Sequence, residues 1–398
     1  MAVRLTYLGR VIGRPAFAIA LAVAAITAVT GGTGARAMAG VTGGSGGRAG
    51  AATSCQHATG PFHVSGTQVL GAGGKVFVPY GITVPGLANQ NWSASVAGDE
   101  NKINATASSW CANTVRLQVA QDNLIGVDGS SYNAQFMAAI EEEVSLAESD
   151  GLVVVINDQT ETATVDYQLG PTPGTETFWK DIIGVYGSDH QVIFDLFNEP
   201  RTYSSGMSQA QEWGLWHDGG SFDGNNYIGM AALASYVRAA DASTLFWVEG
   251  PDYSASFAGM ESQDALLSTS GVVYAVHHPA GAHDSSAWYD DFGYLINTGV
   301  APVVDGEWTN YQPSPNANSE CWSDAPTQVP VFLSYLTSHG IGMTAYQLAA
   351  GLLVTSNSDL ADPTTINAAT WSCTPTSTPT NQGAGALIMN WYQEQNGG

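Results

Sequence analysis

The sequence is poor in basic residues. Only 11 of its 398 residues are Lys or Arg, against 35 Asp or Glu, which gives a formal net charge of -24. Five of the eleven lie in the first fifty positions, and none follows Arg238. Because nucleic-acid binding requires a basic surface, this balance argues against a nucleic-acid partner. Charged residues make up only 12% and hydrophobic residues 44%, so the chain can bury a large core and is not a disordered acidic tail.

Several signatures of other protein classes are also missing. No Gly-rich dinucleotide fingerprint follows the first predicted strand, where residues 80–86 read Tyr-Gly-Ile-Thr-Val-Pro-Gly. No Gly-x-Ser-x-Gly nucleophile elbow occurs after residue 54, which argues against a hydrolase of another bond type. His278, His283 and Asp284 lie in a Gly/Ala/Pro loop without helical ligand spacing, so no metal site is expected there.

The amino terminus has the composition of an export signal. Basic residues precede an apolar run over residues 16–29, and small residues follow it. This order predicts a secretory signal peptide over residues 1–39, with cleavage after Ala37 or Ala39. The alternative is a membrane anchor, for which roughly 20 apolar residues are needed and this run is short. We therefore expect a secreted, extracellular protein without membrane association, beginning with a flexible leader over residues 40–54.

The chain contains four cysteines, Cys55, Cys111, Cys321 and Cys373. Disulfides persist outside the cytosol, and four cysteines allow three pairings. We favour Cys55 with Cys111 and Cys321 with Cys373, which joins neighbours in sequence. Four buried free thiols are the alternative, and the spacings do not match zinc signatures.

Residues 55–398 are long enough for one large barrel domain. Short runs rich in Val, Ile and aromatic residues recur about every 30 to 45 residues, with amphipathic stretches between them, as expected for alternating strands and helices. The predicted strands are 76–83, 114–119, 152–156, 192–197, 245–248, 272–276, 302–305 and 342–347. Amphipathic patterns predict helices over 134–147, 178–186, 227–240, 329–336 and 386–395.

Eight buried strands alternating with helices favour an α/β fold with a single (β/α)8 barrel, and an open doubly wound sheet is the alternative. In such a barrel the chemistry belongs at the carboxyl ends of the strands. Two glutamates stand there: Glu199 follows the fourth strand and Glu307 ends the seventh. Two such carboxylates are the minimum machinery for cleaving a glycosidic bond.

The residues around these glutamates resemble glycoside hydrolase family 5, which contains cellulase-type retaining glycosidases on (β/α)8 barrels. The match at the first glutamate is Ile-Phe-Asp-Leu-Phe-Asn-Glu-Pro over residues 193–200. The second glutamate lies in Val-Asp-Gly-Glu-Trp over residues 304–308. The resemblance implies that Glu199 is the acid/base, Glu307 the nucleophile, and Asn198 a ligand of the sugar 2-hydroxyl.

The resemblance extends to two further strands. Arg116, in Asn-Thr-Val-Arg-Leu over residues 113–117, is similar to the family's active-site arginine, and His277 to the histidine after its sixth strand. Arg116 is expected to hold Glu307 ionised, with a buried structural ion pair as the alternative. His277 is expected to bind the substrate or the acid/base region, with a core histidine as the alternative. Trp308 is expected to contact the sugar, since sugar rings pack on aromatic planes.

Three positions depart from the family pattern. An Asp-x-His arrangement usually follows the third strand, whereas residues 157–160 here read Asn-Asp-Gln-Thr. Pro279 stands where the family often has a tyrosine that contacts the nucleophile. Tyr346 replaces the tryptophan of the eighth strand, so Tyr346 is expected to form the floor of a sugar subsite.

The sequence thus predicts a secreted retaining β-glycosidase, acting as a monomer on a β-linked polysaccharide or oligosaccharide, with no metal and no other cofactor. The preferred activity is an endo-β-1,4-glucanase. A mannanase, a β-1,3-glucanase, another β-glycosidase and a non-catalytic carbohydrate-binding protein are the alternatives. From residue 51 onward 35 acidic residues face 6 basic ones, so carboxylate protonation would remove most self-repulsion at low pH. We therefore also expect an enzyme suited to acidic surroundings.

Overall fold

The fold was analysed in a computed structural model of the whole chain. The structure describes residues 55–127, 129–160, 169–201, 207–222, 224–241, 243–278, 285–308, 325–349, 352–354 and 384–397. The predicted signal peptide and leader, Pro279, and both Cys321 and Cys373 lie outside the described residues. None of the helices in these ranges combines the length and apolar character needed to span a bilayer.

The described chain contains thirteen strands, numbered in chain order. They are β1 (His63–Ser65), β2 (Gln68–Leu70), β3 (Val76–Phe77), β4 (Tyr80–Val84), β5 (Thr114–Ala120), β6 (Val153–Gln159), β7 (Val192–Asp195), β8 (Gly220–Phe222), β9 (Asn225–Tyr227), β10 (Phe246–Glu249), β11 (Val272–Val276), β12 (Val303–Trp308) and β13 (Gly342–Ala345).

The described α-helices alternate with the barrel strands. They are α1 (Trp92–Ser95), α2 (Asp99–Ala107), α3 (Gln121–Ile125), α4 (Ala134–Ser149), α5 (Pro173–Tyr186), α6 (Gln209–Asp218), α7 (Met230–Ala240), α8 (Ser285–Trp288), α9 (Tyr294–Asn297), α10 (Ala325–His339) and α11 (Gly385–Asn396). A π-helical segment, Tyr289–Gly293, joins α8 to α9. All five helices predicted from the sequence are present.

Eight parallel strands close into a barrel in the order β4, β5, β6, β7, β10, β11, β12, β13, with β13 pairing back to β4. The predicted (β/α)8 fold is therefore confirmed. The predicted extent of the first strand, residues 76–83, was wrong because this range contains parts of two separate strands. Val76–Phe77 pairs antiparallel with β2, and only the part from Tyr80 onward joins the barrel. Pro79 lies at the break, where it has no N–H to donate to a strand ladder.

The barrel strands separate two apolar layers because successive side chains point to opposite faces of a sheet. In β5, Val115 and Leu117 pack outward with the helices, whereas Arg116 and Gln118 reach across the interior to Glu307. Deeper in the interior, strand residues such as Trp247 pack with Val69 and Phe77 of the small β1–β3 sheet and with Phe62, which precedes β1. This second sheet, which the sequence analysis did not predict, covers that end of the inner layer.

The two ends of the described chain meet beside a disulfide. Cys55 is bonded to Cys111, with 5.1 Å between their Cα atoms, which confirms that predicted pairing. Cys55 also forms an isolated bridge with Gly397, and the Asn396 side chain donates to the carbonyl oxygens of Gln56 and Cys111. The disulfide links the segment before β1 to Cys111, and the hydrogen bonds hold both against the end of α11.

Glu143 of α4 is a buried acid beside a second acid, and the charge of Lys102 offsets only part of the resulting rise in its pKa. It is 6% exposed and faces Asp99 of α2. Burial, with a contribution from the charge of Asp99, raises the pKa of Glu143 from 4.5 to about 9. Folding therefore favours the protonated form of this side chain.

We expect the Glu143→Gln variant to lose less stability than the wild type as pH rises from about 5 to about 8. Over that range the unfolded chain releases the Glu143 proton while the folded chain retains it. The wild type therefore loses up to about 1.4 kcal/mol of unfolding free energy per pH unit from this group. Urea denaturation at a series of pH values measures the slope. Glu142→Gln, at the exposed neighbour, should keep the wild-type slope, and an unchanged slope in Glu143→Gln would contradict the assignment.

Candidate active site

The carboxyl ends of the barrel strands bring the predicted polar residues together. A side-chain oxygen of Glu199, a side-chain oxygen of Glu307 and a ring nitrogen of His277 lie within 4.8 Å of one another. Glu199 follows β7, His277 follows β11, and Glu307 lies in β12. The parallel barrel therefore juxtaposes residues that are separated by up to 108 positions in the sequence.

Arg116 of β5 lies at the centre of the cluster and is fully buried. Its Nε donates to Asp195 at 2.8 Å and its Nη1 to Glu307 at 2.6 Å. Its Nη2 donates to Asn198 at 2.7 Å and to Glu249 at 2.9 Å. Three carboxylates raise the pKa of Arg116 against the opposing effect of burial, so the guanidinium remains charged.

Glu307 reaches this cluster through an irregularity in its strand. The register of β12 against β13 shifts between Asp305 and Trp308, and such bulges re-aim side chains. Burial raises the pKa of Glu307 above its usual value, and the charges of Arg116 and His277 offset only part of this effect. The same Glu307 oxygen that accepts from Arg116 also accepts from Gln118 at 2.8 Å.

Glu199 is held by its backbone as well as its side chain. It has a φ of 45°, in the left-handed region that non-glycine residues rarely occupy. Its backbone N–H donates to Glu249 at 2.5 Å, and its side chain lies 3.1 Å from Nδ1 of His277. Glu199 is 7% exposed, so its carboxyl has few routes to solvent.

The two predicted aromatic contacts occupy different surroundings. Trp308 is 1% exposed and packs in the outer core, on the opposite side of its strand from Glu307. Its carbonyl oxygen accepts from the backbone N–H of Tyr346, which is half-buried at the end of β13 and precedes a cis peptide bond. Of the two residues, Tyr346 is therefore the one with accessible surface near the strand ends.

The residues that replace the family's Asp-x-His arrangement complete β6. Asn157 and Asp158 are fully buried. Burial, together with the charges of Asp122 and Asp195, raises the pKa of Asp158 well above its usual value. The third barrel strand thus places the Asn157 amide and a neutral Asp158 carboxyl group where the family usually has Asp-x-His.

Sequence reasoning missed Gln118, Asp195 and Glu249. Gln118 lies two positions after Arg116, and side chains two apart share a strand face, so its alternation with Arg116 was an available signal. Glu249 is the last residue of the fifth barrel strand, so a glutamate at a strand end was an available signal here, as it was for Glu199 and Glu307. Asp195 lies inside the motif that carried the resemblance, where its contact with Arg116 was not inferred.

A (β/α)8 barrel with paired glutamates at the ends of its fourth and seventh strands has the form of a glycoside hydrolase. The sequence model of cellulase (glycosyl hydrolase family 5) matches residues 71–351. The chain belongs to this family of glycosyl hydrolases.

Individual relatives are distant. An endoglucanase from Halalkalibacter akibai is 23% identical over 222 residues, which cover 52% of this chain and 24% of that protein. Endoglucanase N from Pectobacterium atrosepticum is 24% identical over 220 residues, covering 54% of this chain and 44% of the relative. The chain thus spans less than half the length of either relative.

Solved structures share the fold at low sequence identity. A β-glucanase from Saccharophagus degradans has a TM-score of 0.63 at 18% identity, covering 86% of this chain and 95% of the other. The catalytic domain of Thermobifida fusca endoglucanase Cel5A, in complex with cellotetraose, has a TM-score of 0.56 at 16% identity, covering 84% and 97%. A mannanase catalytic domain from Streptomyces sp. SirexAA-E has a TM-score of 0.52 at 17% identity, covering 74% and 82%.

Replacing Arg116 by Leu is expected to lower the unfolding free energy by about 3–5 kcal/mol near neutral pH. The substitution leaves Asp195 and Glu249 buried without their cation, and an uncompensated buried charge is costly. Burial raises the pKa of Glu249 to about 7, so protonation of this carboxyl group should shrink the loss as pH falls. Chemical denaturation at pH 7 and pH 4 measures both effects. Lys180→Leu, which removes an exposed cation, should change stability by less than about 0.5 kcal/mol, and an equally small effect of Arg116→Leu would contradict the prediction.

Proposed function

We propose that this protein is a secreted endo-β-1,4-glucanase that hydrolyses its substrate with retention of anomeric configuration. The observation that carries the proposal is the position of Glu199 and Glu307, whose carboxyl oxygens lie within 4.8 Å at the barrel mouth. Retaining glycosidases separate their two carboxyl groups by about 5–5.5 Å, whereas inverting enzymes leave about 6.5–9.5 Å for a water molecule. The pair in this site fits the retaining class.

In the first step Glu307 acts as the nucleophile. Its ionised oxygen attacks the anomeric carbon while the bond to the leaving oxygen breaks, and Glu199 donates its proton to that oxygen. Arg116 and Gln118 support this role because their hydrogen bonds favour the ionised form of Glu307. Asn198, held by Arg116, is expected to bind the 2-hydroxyl, as the family resemblance implies.

In the second step Glu199 acts as the base. It removes a proton from water as the water oxygen attacks the anomeric carbon, and the bond to Glu307 breaks. Two inversions at one carbon give net retention. His277, 3.1 Å from Glu199, lies where it contacts the acid/base residue in both steps.

A β-1,4-glucan is the preferred substrate because the two relatives described above are named endoglucanases. The endoglucanase neighbour, in complex with cellotetraose, and the mannanase neighbour share the barrel with this chain. Their similarity concerns the fold, so β-mannan and β-1,3-glucan remain the alternatives to be tested. Tyr346, at the strand ends, is the described aromatic side chain that we expect to contact a sugar ring.

Two parts of the proposal, secretion and action in acidic surroundings, are supported mainly by the sequence. The signal pattern over residues 1–39 supports secretion. The excess of acidic over basic residues supports action in acidic surroundings, as does the burial of carboxyl groups such as Glu143, whose pKa is raised to about 9.

The purified protein should release reducing ends from a β-1,4-glucan faster than from β-mannan or β-1,3-glucan. Proton NMR of the first products distinguishes retention from inversion, because the new anomer appears before mutarotation. Binding without hydrolysis across this panel would indicate a non-catalytic carbohydrate-binding protein. Release of the inverted anomer would refute the retaining mechanism, and an activity optimum above about pH 7 would refute the acidic adaptation.

Glu199→Gln and Glu307→Gln should each reduce hydrolysis of the polysaccharide at least about 1,000-fold while the protein stays folded, because each removes a group that the chemical step requires. Reducing-end assays and circular dichroism measure the two properties. Glu142→Gln, on the exposed surface of α4, serves as the matched control and should retain full activity. A fully active Glu307→Gln variant would exclude Glu307 as the nucleophile.

Gln118→Leu should shift the acidic limb of the pH–kcat/KM profile to higher pH. The substitution removes a hydrogen bond to the ionised form of Glu307, so the pKa of Glu307 rises and a smaller fraction is ionised in acid. At the acidic edge of the profile kcat/KM should fall about tenfold, the value of one hydrogen bond to a charged group. An acidic limb that coincides with that of the wild type would show that Gln118 does not act on Glu307.

A further inference from the structure

A third glutamate lies behind the catalytic pair and has no role in the mechanism above. Glu249 is the last residue of β10, the fifth barrel strand, and it is fully buried. Its backbone carbonyl accepts from the indole N–H of Trp216 at 2.9 Å, which anchors the strand end to α6. A buried acid in this position requires compensating partners.

One carboxylate oxygen of Glu249 holds the backbone of Glu199. The Glu199 N–H donates to Oε2 of Glu249 at 2.5 Å, and Glu199 itself has the left-handed φ of 45°. A residue with a β-carbon rarely adopts this conformation, because the β-carbon crowds the following carbonyl oxygen. The bond from Glu249 therefore stabilises the backbone geometry that aims the Glu199 side chain.

The other carboxylate oxygen acts on the Glu199 side chain through an imidazole. Oε1 of Glu249 lies 3.0 Å from Nε2 of His277, and Nδ1 of the same ring lies 3.1 Å from Oε1 of Glu199. Burial opposes a charge on His277, but the charge of Glu249 and the contacts with the two glutamates outweigh it and raise the pKa of His277 well above its usual value. Burial raises the pKa of Glu249 to about 7, although the charge of His277 opposes this. The ring thus connects the two carboxyl groups.

Arg116 depends less on Glu249 than Glu199 does. Besides Glu249, its guanidinium donates to Asp195, Asn198 and Glu307. Removing the Glu249 charge leaves three of the four Arg116 partners in place. In contrast, Glu249 acts on Glu199 in two places. It accepts from the Glu199 backbone N–H, and it contacts the imidazole that lies beside the Glu199 carboxyl group.

We propose that Glu249 is a positioning residue for the acid/base Glu199, fixing its backbone directly and its carboxyl group through His277. This inference rests on the proposed function and deepens it. On this proposal Glu249 supports the protonation of the leaving group by Glu199, and the attack by Glu307 does not depend on it.

The leaving group provides a test that separates these two events. An alkoxide leaving group, as in a cello-oligosaccharide, needs a proton from the acid residue, whereas dinitrophenolate departs without one. In Glu249→Gln, kcat/KM should fall about 100-fold on a cello-oligosaccharide. On dinitrophenyl β-cellobioside it should fall less than about threefold, since attack by Glu307 does not require the proton. Gln is isosteric with Glu, but its amide group carries no charge to attract His277 and has only one oxygen to accept from both Glu199 and Arg116.

Glu143→Gln provides the matched control, because it makes the same change at another buried glutamate that is remote from the site. Its ratio of activities on the two substrates should equal that of the wild type. If Glu249→Gln does not fold, as judged by circular dichroism, Glu249→Asp keeps the charge and withdraws the carboxylate by one methylene. It should show the same selective loss with a smaller magnitude.

Equal losses on both substrates would overturn the proposal and assign Glu249 to the nucleophile or to general stability. An unchanged kcat/KM on both substrates in a folded variant would overturn it as well. If instead the wild type hydrolyses neither substrate, the proposed function fails. That failure is distinguishable from a failure of the Glu249 proposal, because it is seen with the wild type alone.

Discussion

The site depends on one buried cation. Arg116 is fully buried, and its guanidinium donates to side chains that come from the fourth, fifth and seventh barrel strands or directly follow them. An arginine suits this position because its planar group carries five donors in a fixed geometry and does not deprotonate. Several buried acids close together would otherwise repel one another, and their protonated forms would be favoured. The arrangement of Asp195, Glu249 and Glu307 therefore follows from the position of this side chain.

The two catalytic candidates are similar side chains in different surroundings. Glu307 accepts hydrogen bonds from Arg116 and Gln118, both of which favour its ionised form. Glu199 contacts His277 and donates its backbone N–H to Glu249, and neither contact is an arginine. Different environments for two nearby carboxyl groups are the physical basis for a division into nucleophile and acid/base.

Buried carboxyl groups are distributed beyond the site. Burial raises the pKa of Glu143 on α4, of Asp158 in β6 and of Asp305 in β12. The chain has only six basic residues after position 50, and one of them, Arg116, already contacts three acids. Protonation also avoids an uncompensated charge, so the raised pKa values of these three groups favour the folded state more at low pH than at high pH.

The sequence by itself determined the repeating strand and helix pattern, and with it the barrel, because burial on both faces of a parallel sheet leaves continuous apolar runs. It also indicated Glu199 and Glu307, since polar residues that end buried strands are conspicuous, and Cys55–Cys111 was the preferred pairing of neighbours. The extent of the first strand, the orientation of Trp308 into the outer core, and the contacts of Gln118 and Glu249 were decided only by the tertiary structure. Barrel closure and the irregularity in β12 determine which side chains face the interior. Neither the distances across the barrel nor a local shift of register is encoded in the spacing of residues along one strand.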